Sequence, residues 1–102
     1  MVIAYCRTST PNQTENLNAQ ERMCVEESKK LGYKSIKIIK DDGKNATDMN
    51  RPGLQKIVNL CNTGKVRAII TTNENRLARN KKDFLSLQKI FASRKIILHC
   101  IQ

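Results

Sequence analysis

Several residue types that build common functional sites are scarce in this sequence. It has no tryptophan and a single histidine, His99, which lies within an apolar segment. Histidine-rich zinc sites and Ser–His–Asp triads therefore have almost nothing to be built from. No apolar run approaches the ~20 residues that a membrane-spanning helix needs. Arg7 interrupts the N-terminal apolar run, so no signal peptide is visible. We therefore expect a protein without a membrane partner.

Cysteines are present, but their spacing does not indicate a metal site. The chain has four of them, Cys6, Cys24, Cys61 and Cys100. No two are close in sequence, so neither zinc-ligand spacing nor a disulfide framework is visible. Each lies in an apolar pattern, which predicts buried free thiols in a cytoplasmic protein. The sequence also offers no cluster of histidine and carboxylate side chains, so we expect no metal and no other cofactor.

Acidic residues are outnumbered, and the imbalance is uneven along the chain. There are 19 lysine and arginine residues against 9 acidic residues, which gives a net charge of +10. Residues 64–102 alone carry nine basic and two acidic side chains. A basic excess concentrated in one part of a chain indicates a polyanionic partner, most simply DNA or RNA. The alternative is a lysine-rich solvated surface without such a partner.

Apolar segments and helical patterns alternate along a chain of 102 residues, which is long enough for one domain with its own core. Val2–Cys6 reads as a buried strand because every position is apolar or aromatic. The other predicted elements are a helix over 15–31, a strand over 35–39 ended by an Asp-Asp-Gly turn, a helix from Pro52 to about 61, a strand over 66–72, a helix to about 93 after a polar turn, and a strand over 95–101. This alternation predicts an α/β fold, a three-layer, open, mainly parallel sheet of at least four strands with helices on both faces.

Polar residues gather where the predicted strands end. They are Arg7 and Ser9 after the first strand, Arg51 before the second helix, and Asn75, Arg76 and Arg79 after the third strand. Sites in open parallel sheets lie beyond the carboxyl ends of the strands, and guanidinium groups match the oxygens of a phosphodiester. Ser9 is therefore a candidate nucleophile beside an anion clamp. Alternatively, it only opens a loop or caps the next helix.

Gln20 is unusual for its position on the first predicted helix. It lies three residues after Leu17 and four before Cys24, on the face that should be buried. A buried amide needs hydrogen-bond partners, and the end of the first strand is the nearest place to find them. Gln20 could equally lie at the edge of the apolar stripe and reach solvent.

Four short motifs occur in order along the chain. Residues 5–9 read Tyr-Cys-Arg-Thr-Ser, residues 18–20 read Asn-Ala-Gln, residues 41–43 and 50–54 read Asp-Asp-Gly and Asn-Arg-Pro-Gly-Leu, and residues 75–80 read Asn-Arg-Leu-Ala-Arg-Asn. Together they resemble the signature of the serine recombinases, the resolvase/invertase family. The usual family versions are Tyr-x-Arg-Val-Ser, Glu-Ala-Gln, Asp-Asp-Gly…Asp-Arg-Pro-Gly-Leu and Asp-Arg-Leu-Ser-Arg-Asn. The resemblance covers essentially the whole chain.

The resemblance implies a role for each matching residue. Ser9 would attack a DNA phosphodiester, leaving a 5′-phosphoseryl bond and a free 3′-hydroxyl, within a homo-oligomer that exchanges strands as a tetramer. The side chains that bind the scissile phosphate and stabilise its transition state would be Arg7, Arg51, Arg76 and Arg79. The polar neighbours that support the site would be Gln20, Tyr5 and Asn75. No metal or high-energy cofactor is implied, because the phosphoseryl bond retains the energy of the bond that is broken.

The chain departs from the family pattern in two respects. Asn50 and Asn75 stand where the family usually has aspartate. An amide carries no charge and is no useful base, so reduced activity is expected unless another group compensates. Family members also continue past the last predicted strand into a long oligomerisation helix and usually a DNA-binding domain. We therefore expect residues 1–102 to be a resolvase-type catalytic domain that is a fragment of such a protein.

Two further functions are alternatives to a recombinase domain. One is a noncatalytic α/β module that binds nucleic acid or a protein partner and has lost recombinase activity. The other is a small phosphotransfer regulator that uses Asp41 or Asp42. The second is discounted, because a receiver-type acidic cluster needs the end of the first strand, where this chain has Arg7 and Ser9.

Overall fold

Four parallel strands form one sheet with helices on both faces in the computed structural model, which describes residues 1–102. The strands are β1 (Val2–Arg7), β2 (Lys37–Asp41), β3 (Ala68–Thr71) and β4 (Ile97–Cys100). The helices are α1 (Thr14–Lys30), α2 (Pro52–Cys61), α3 (Glu74–Leu77) and α4 (Lys81–Ser93). The strand order is β2-β1-β3-β4, with every neighbouring pair parallel. The predicted three-layer α/β fold is confirmed.

Local predictions need correction at β2 and in the segment after β3. The second strand begins at Lys37 and continues through Asp41, which the sequence pattern placed in a turn. Asp41 remains in the strand because it pairs with Arg7 at the end of β1, and its side chain is buried. The polar turn expected after β3 contains the short helix α3, whose Leu77 is buried in the core.

The larger core lies between the sheet and the helices α2, α3 and α4. Alternation along β1 directs Ile3 and Tyr5 to this face and Val2 and Ala4 to the other. Pro52 begins α2 at a position where its missing N–H costs nothing. The buried stripes of the two long helices on this face are Leu54, Ile57 and Cys61 on α2, and Phe84, Leu87 and Phe91 on α4.

The smaller core lies under α1, on the opposite face of the sheet. It contains Cys24 of α1 against Ala4, Ala68 and Ile70 of the strands. The seven-residue spacing of Leu17, Cys24 and Leu31 predicts that all three are buried, and this is wrong for Leu31. It caps the end of the helix and is 40% exposed.

The strand order creates a crevice at one edge of the sheet. The chain leaves β1 toward β2 on one side, whereas it leaves β3 toward β4 on the other side. The carboxyl ends of the adjacent strands β1 and β3 therefore send their loops in opposite directions. Such a topological switch point is the usual position of a functional site in open α/β sheets.

The cysteines and the histidine are part of this framework. All four cysteines are free, and Cys100 is half-buried while the others are buried. Burial raises the pKa of Cys61 and Cys100, so these thiols stay protonated near neutral pH. His99 is half-buried in β4, with its Nε2 3.0 Å from the hydroxyl of Tyr33.

None of the helices combines the length and the apolar character that crossing a membrane requires.

Candidate active site

Ser9 is presented to solvent by a loop that is tied to the end of β2. Its neighbour Thr8 is only 1% exposed. The Thr8 amide donates to the Asp41 carbonyl at 3.1 Å, and the Thr8 carbonyl accepts from the Lys44 amide at 2.8 Å. The Thr8 hydroxyl donates to the Asp42 carboxylate at 2.9 Å. Because the residue before Ser9 is held on both its backbone and its side chain, the position of Ser9 is well defined.

Arg7 links Ser9 to the segments that follow β2 and β3. Its Nη1 donates to Ser9 Oγ at 3.0 Å and to the Lys44 carbonyl at 2.7 Å. Its Nε donates to the Arg76 carbonyl at 3.0 Å, and its Nη2 donates to the Asn75 carbonyl at 2.9 Å. A guanidinium has five N–H hydrogens, so four of them are committed. Arg7 therefore holds Ser9, the loop after β2 and helix α3 together and keeps one N–H for a ligand.

A pocket of about 330 Å³ opens in front of Ser9. Its lining residues are Arg7, Ser9, Asn45, Ala46, Asn75 and Arg79. Arg79 is exposed, and its guanidinium makes no hydrogen bond or salt bridge within the chain. The lining contains two guanidinium groups and no carboxylate, so the pocket is suited to an anion.

The other two predicted arginines lie behind this pocket. Arg76 is half-buried, and its Nη1 donates to the Arg7 carbonyl at 3.0 Å. Arg51 is completely buried, and its guanidinium carbon lies 5.7 Å from the centre of the Tyr5 ring. Its Nη1 donates to the Arg76 carbonyl at 2.8 Å, and its Nη2 donates to the Leu77 carbonyl. The structure thus brings Arg7 and Arg79 to Ser9 and uses the other two to hold α3.

Asp41 is a key polar residue that sequence reasoning did not assign to the site. Its carboxylate accepts hydrogen bonds from the Gly53 amide at 2.7 Å, the Leu54 amide at 3.0 Å and the Tyr5 hydroxyl at 2.6 Å. Asp41 therefore caps α2 from a neighbouring strand. The available signal was the lack of a local capping side chain before Pro52, since a helix start needs acceptors for its free N–H groups.

Tyr5 is fixed by the same contact. Burial, reinforced by the hydrogen bond to Asp41, raises the pKa of Tyr5 well above its usual range. Tyr5 is therefore a neutral donor at physiological pH, and it lies between Asp41 and the guanidinium of Arg51. Its position is that of a support for the site, behind the pocket.

Gln20 is buried at the end of β1, which decides between the two alternatives that its sequence position allowed. It is 3% exposed, so it does not reach solvent from the stripe's edge. Its amide nitrogen donates to the Arg7 carbonyl at 2.9 Å, and its amide oxygen accepts from the Arg7 backbone N–H at 3.0 Å. This two-point contact holds the backbone of the residue that contacts Ser9.

The two amides that replace family aspartates occupy different environments. Asn75 is exposed and lines the Ser9 pocket. Asn50 is also exposed, but it lies outside that pocket, and its backbone N–H donates to the Asp48 carboxylate at 2.9 Å. Only one of the two replacements therefore changes the chemistry next to Ser9.

Two residues of the pocket wall were not identified from the sequence. Asn45 and Ala46 belong to the loop between β2 and α2. Their place beside Ser9 depends on how this loop folds against Thr8. No local pattern in the sequence reports that contact.

The fold and the pocket define a resolvase-like α/β domain, and comparison with known proteins agrees. The family model "Resolvase, N terminal domain" matches residues 2–102. The chain therefore belongs to the resolvase family. Two proteins of Acanthamoeba polyphaga mimivirus, provisionally named as resolvases, are each 36% identical to it over 77 residues. The matches cover 76% of this chain but 37% of each relative, so the chain spans little more than a third of their length.

Solved structures of serine recombinases have the same fold. The N-terminal catalytic domain of TP901-1 integrase has a TM-score of 0.91 at 24% identity, over 98% of this chain and 76% of that chain. The C-terminal catalytic domain of ISC1926 TnpA, an IS607-like serine recombinase, has a TM-score of 0.91 at 24% identity, over 99% and 67%. A resolvase family site-specific recombinase from Streptococcus pneumoniae has a TM-score of 0.83 at 27% identity, over 98% and 70%.

Proposed function

We propose that this chain is the catalytic domain of a site-specific DNA recombinase whose nucleophile is Ser9. Ser9 Oγ forms a bond to the phosphorus of a DNA phosphodiester and loses its proton, while the bond from phosphorus to O3′ breaks. The leaving oxygen takes up a proton and becomes a free 3′-hydroxyl. The 5′-phosphate stays on Ser9 as an ester, and attack by a 3′-hydroxyl reverses the step and rejoins DNA.

The observation that carries the proposal is the contact between Ser9 Oγ and Arg7 Nη1, 3.0 Å apart at the wall of a cationic pocket. A cationic donor that already faces Oγ stabilises the negative charge that develops there during attack. Burial and the neighbouring Arg51 lower the pKa of Arg7 from its usual value, which makes Arg7 a stronger hydrogen-bond donor. An arginine nevertheless remains charged at neutral pH.

Arg79 is assigned the role of phosphate clamp. All its N–H groups are available, whereas Arg7 has committed four to protein oxygens. A free guanidinium can bind two non-bridging phosphate oxygens at once, and phosphoryl transfer depends mainly on stabilising the charge of these oxygens. Asn75 adds an uncharged donor to the same wall.

Arg51 and Arg76 are assigned positioning roles. Arg51 holds the carbonyls of Arg76 and Leu77, and Arg76 holds the carbonyl of Arg7. Together they fix the segment that carries Asn75 and Arg79 against the end of β1. Tyr5 and Gln20 support the same frame through their bonds to Asp41 and Arg7.

The same mechanism implies the binding partner, the oligomeric state and the cofactor requirement. The partner is DNA, and the reaction needs a homo-oligomer, a dimer that assembles into a tetramer, because four strands must be cut and exchanged. It needs no metal or high-energy cofactor, since the phosphoseryl ester keeps the energy of the broken bond. We further propose that residues 1–102 act together with an oligomerisation helix and a DNA-binding domain, and that the four free thiols suit a cytoplasmic location.

The test is covalent trapping on DNA. The full-length recombinase that contains this domain is incubated with a duplex nicked near the scissile bond, so that the cleaved strand dissociates and the ester accumulates. Mass spectrometry then locates the adduct. We expect it on Ser9, with loss of the adduct in Ser9→Ala. The control is Thr10→Ala, which removes the neighbouring exposed hydroxyl and should leave adduct formation intact.

Two outcomes would overturn the assignment in different ways. An adduct on Thr10 would move the nucleophile by one residue. No adduct at all, with DNA binding retained, would favour the noncatalytic nucleic-acid-binding module. The absence of a carboxylate from the pocket lining is the observation that favours this second candidate, because proton transfer then has no carboxylate to use.

A further inference from the structure

A second pocket adjoins the Ser9 pocket. It has a volume of about 380 Å³ and lies between α3 and the first half of α4. Asn75 and Arg79 line both pockets, so the two cavities are neighbours along one surface. A DNA strand whose phosphate is held at Ser9 would extend over adjoining surface, and this pocket is part of it.

The lining of the second pocket combines an apolar wall with unpaired polar groups. Ala78 and Phe84 are buried, whereas Leu85 is 44% exposed, which is high for a large apolar side chain. Lys81 and Gln88 line the same cavity and form no side-chain hydrogen bond or salt bridge within the chain. The apolar part matches the C–H surface of a deoxyribose, and the cationic part matches a phosphate.

We infer that this pocket is the subsite for the nucleotide that adjoins the scissile phosphate. Its deoxyribose lies against Leu85 and Ala78, and its own phosphate is held by Lys81. Arg79 lies between this phosphate and the scissile one, because it lines both cavities. The inference rests on the proposed function, since it takes the Ser9 pocket as the place of the scissile phosphate.

One negatively charged side chain in the lining would repel a phosphate. Glu74 lines the second pocket, and it is exposed at the start of α3. Against it stand the positive charges of Arg79 and Lys81, so the pocket keeps a net positive charge. We therefore expect Glu74 to weaken DNA binding and Glu74→Gln to strengthen it.

The decisive experiment compares two adjacent lysines. Lys81 and Lys82 are both exposed in the first turn of α4, but only Lys81 lines the pocket. Lys81→Gln and Lys82→Gln remove the same charge, so a purely long-range attraction predicts equal losses. Affinity of the 102-residue chain for a short fluorescent duplex is measured by anisotropy over a range of salt concentrations.

We expect Lys81→Gln to weaken binding by about threefold to tenfold and to lower the slope of log K against log salt by about 1, as for one lost phosphate contact. Lys82→Gln should weaken it by less than about twofold, with the slope unchanged. Equal effects of the two variants would overturn the assignment of Lys81.

A matched pair of leucines tests the sugar contact. Leu85 and Leu31 have similar exposures, 44% and 40%, and only Leu85 lines the pocket. Leu85→Ala should weaken binding without changing the salt slope, since no phosphate contact is lost, whereas Leu31→Ala should change neither. Equal affinities of these two variants would refute the apolar half of the subsite.

Failure of the subsite and failure of the proposed function are distinguishable. A Ser9 adduct together with equal lysine effects would refute the subsite while the recombinase assignment stands. Unequal lysine effects without an adduct would support a nucleotide subsite in a domain that binds DNA and does not cleave it.

Discussion

Gly53→Ala tests whether the cap that Asp41 provides to α2 is as rigid as the contacts indicate. Gly53 lies in the first turn of α2, and a Cβ placed there would be 2.8 Å from Asp41 Oδ2 and 2.9 Å from Asp41 Cγ. The carboxylate cannot move aside freely, because it accepts hydrogen bonds from the Gly53 and Leu54 amides and from the Tyr5 hydroxyl. The added methyl group must therefore push α2 away from β2 or break the cap.

Two effects of opposite sign decide the result. Alanine is favoured over glycine within a helix by about 1 kcal/mol. Overpacking in a buried site costs about 1–3 kcal/mol, and loss of a helix cap costs about 1 kcal/mol more. The net expectation is a loss of about 1–3 kcal/mol, which for a domain of this size lowers Tm by roughly 5–20 °C.

The assay is urea unfolding followed by circular dichroism, arranged as a double-mutant cycle. Gly53→Ala is measured alone and in the Asp41→Ala background, where the carboxylate that would clash is gone. The penalty should disappear there and leave only the helix-propensity gain. The difference between Asn59→Gly and Asn59→Ala, at an exposed position of the same helix, reports that gain by itself. A stabilising Gly53→Ala, or a penalty unchanged by Asp41→Ala, would refute the reasoning.

Three further predictions concern the buried polar groups and the net charge. Gln20→Met retains the side-chain volume but leaves the buried Arg7 N–H unpaired, so the free energy of unfolding in urea should fall by about 1–3 kcal/mol. Asn18→Ala, at an exposed position of the same helix, should change it by less than about 0.5 kcal/mol, and equal losses would contradict this. The pKa of Tyr5 is raised in the folded state by burial and by Asp41, so the stability it confers is complete below its unfolded pKa of about 10 and is lost as pH rises above that value. Between about pH 8 and about pH 11, the free energy of unfolding should decline more steeply in the wild type than in Tyr5→Phe. Parallel declines in the two proteins would disprove the link between Tyr5 ionisation and stability. DNA binding by residues 1–102 should be weak and equal for two unrelated duplexes, and it should fall by more than about tenfold between 50 and 200 mM salt; a preference for one duplex that persists at the higher salt would show that this domain reads sequence itself.

The order of strands and helices could be predicted from the sequence because it depends on local periodicity. Val2–Cys6 is apolar throughout, and the first and second helices were predicted within about one residue of α1 and α2. The ends of the strands were less accurate, and β2 begins and ends two residues later than its apolar run suggested. Pairing with β1 decides where that strand ends, and the local pattern of apolar residues does not indicate this pairing.

The candidate site could be predicted in part for the same reason. Ser9 and Arg7 follow a recognisable strand, so their position at its carboxyl end was readable from the sequence alone. Arg79 could be placed only loosely, after the third strand. That it shares a pocket with Ser9 follows from the adjacency of β1 and β3, strands that are more than 60 residues apart in the chain.

Local periodicity and motif spacing in the sequence alone determined the α/β class, the family resemblance and the candidate nucleophile. Only the tertiary structure decided which arginines face the pocket, that Asp41 caps α2, and that Gln20 is buried against Arg7. The physical reason is that a polar side chain is buried only where distant segments supply its hydrogen-bond partners. Arg51 shows this most clearly, since Asn50 and Pro52 on either side of it are exposed, yet Arg51 is completely buried, and its guanidinium donates to carbonyls of α3 beside the ring of Tyr5.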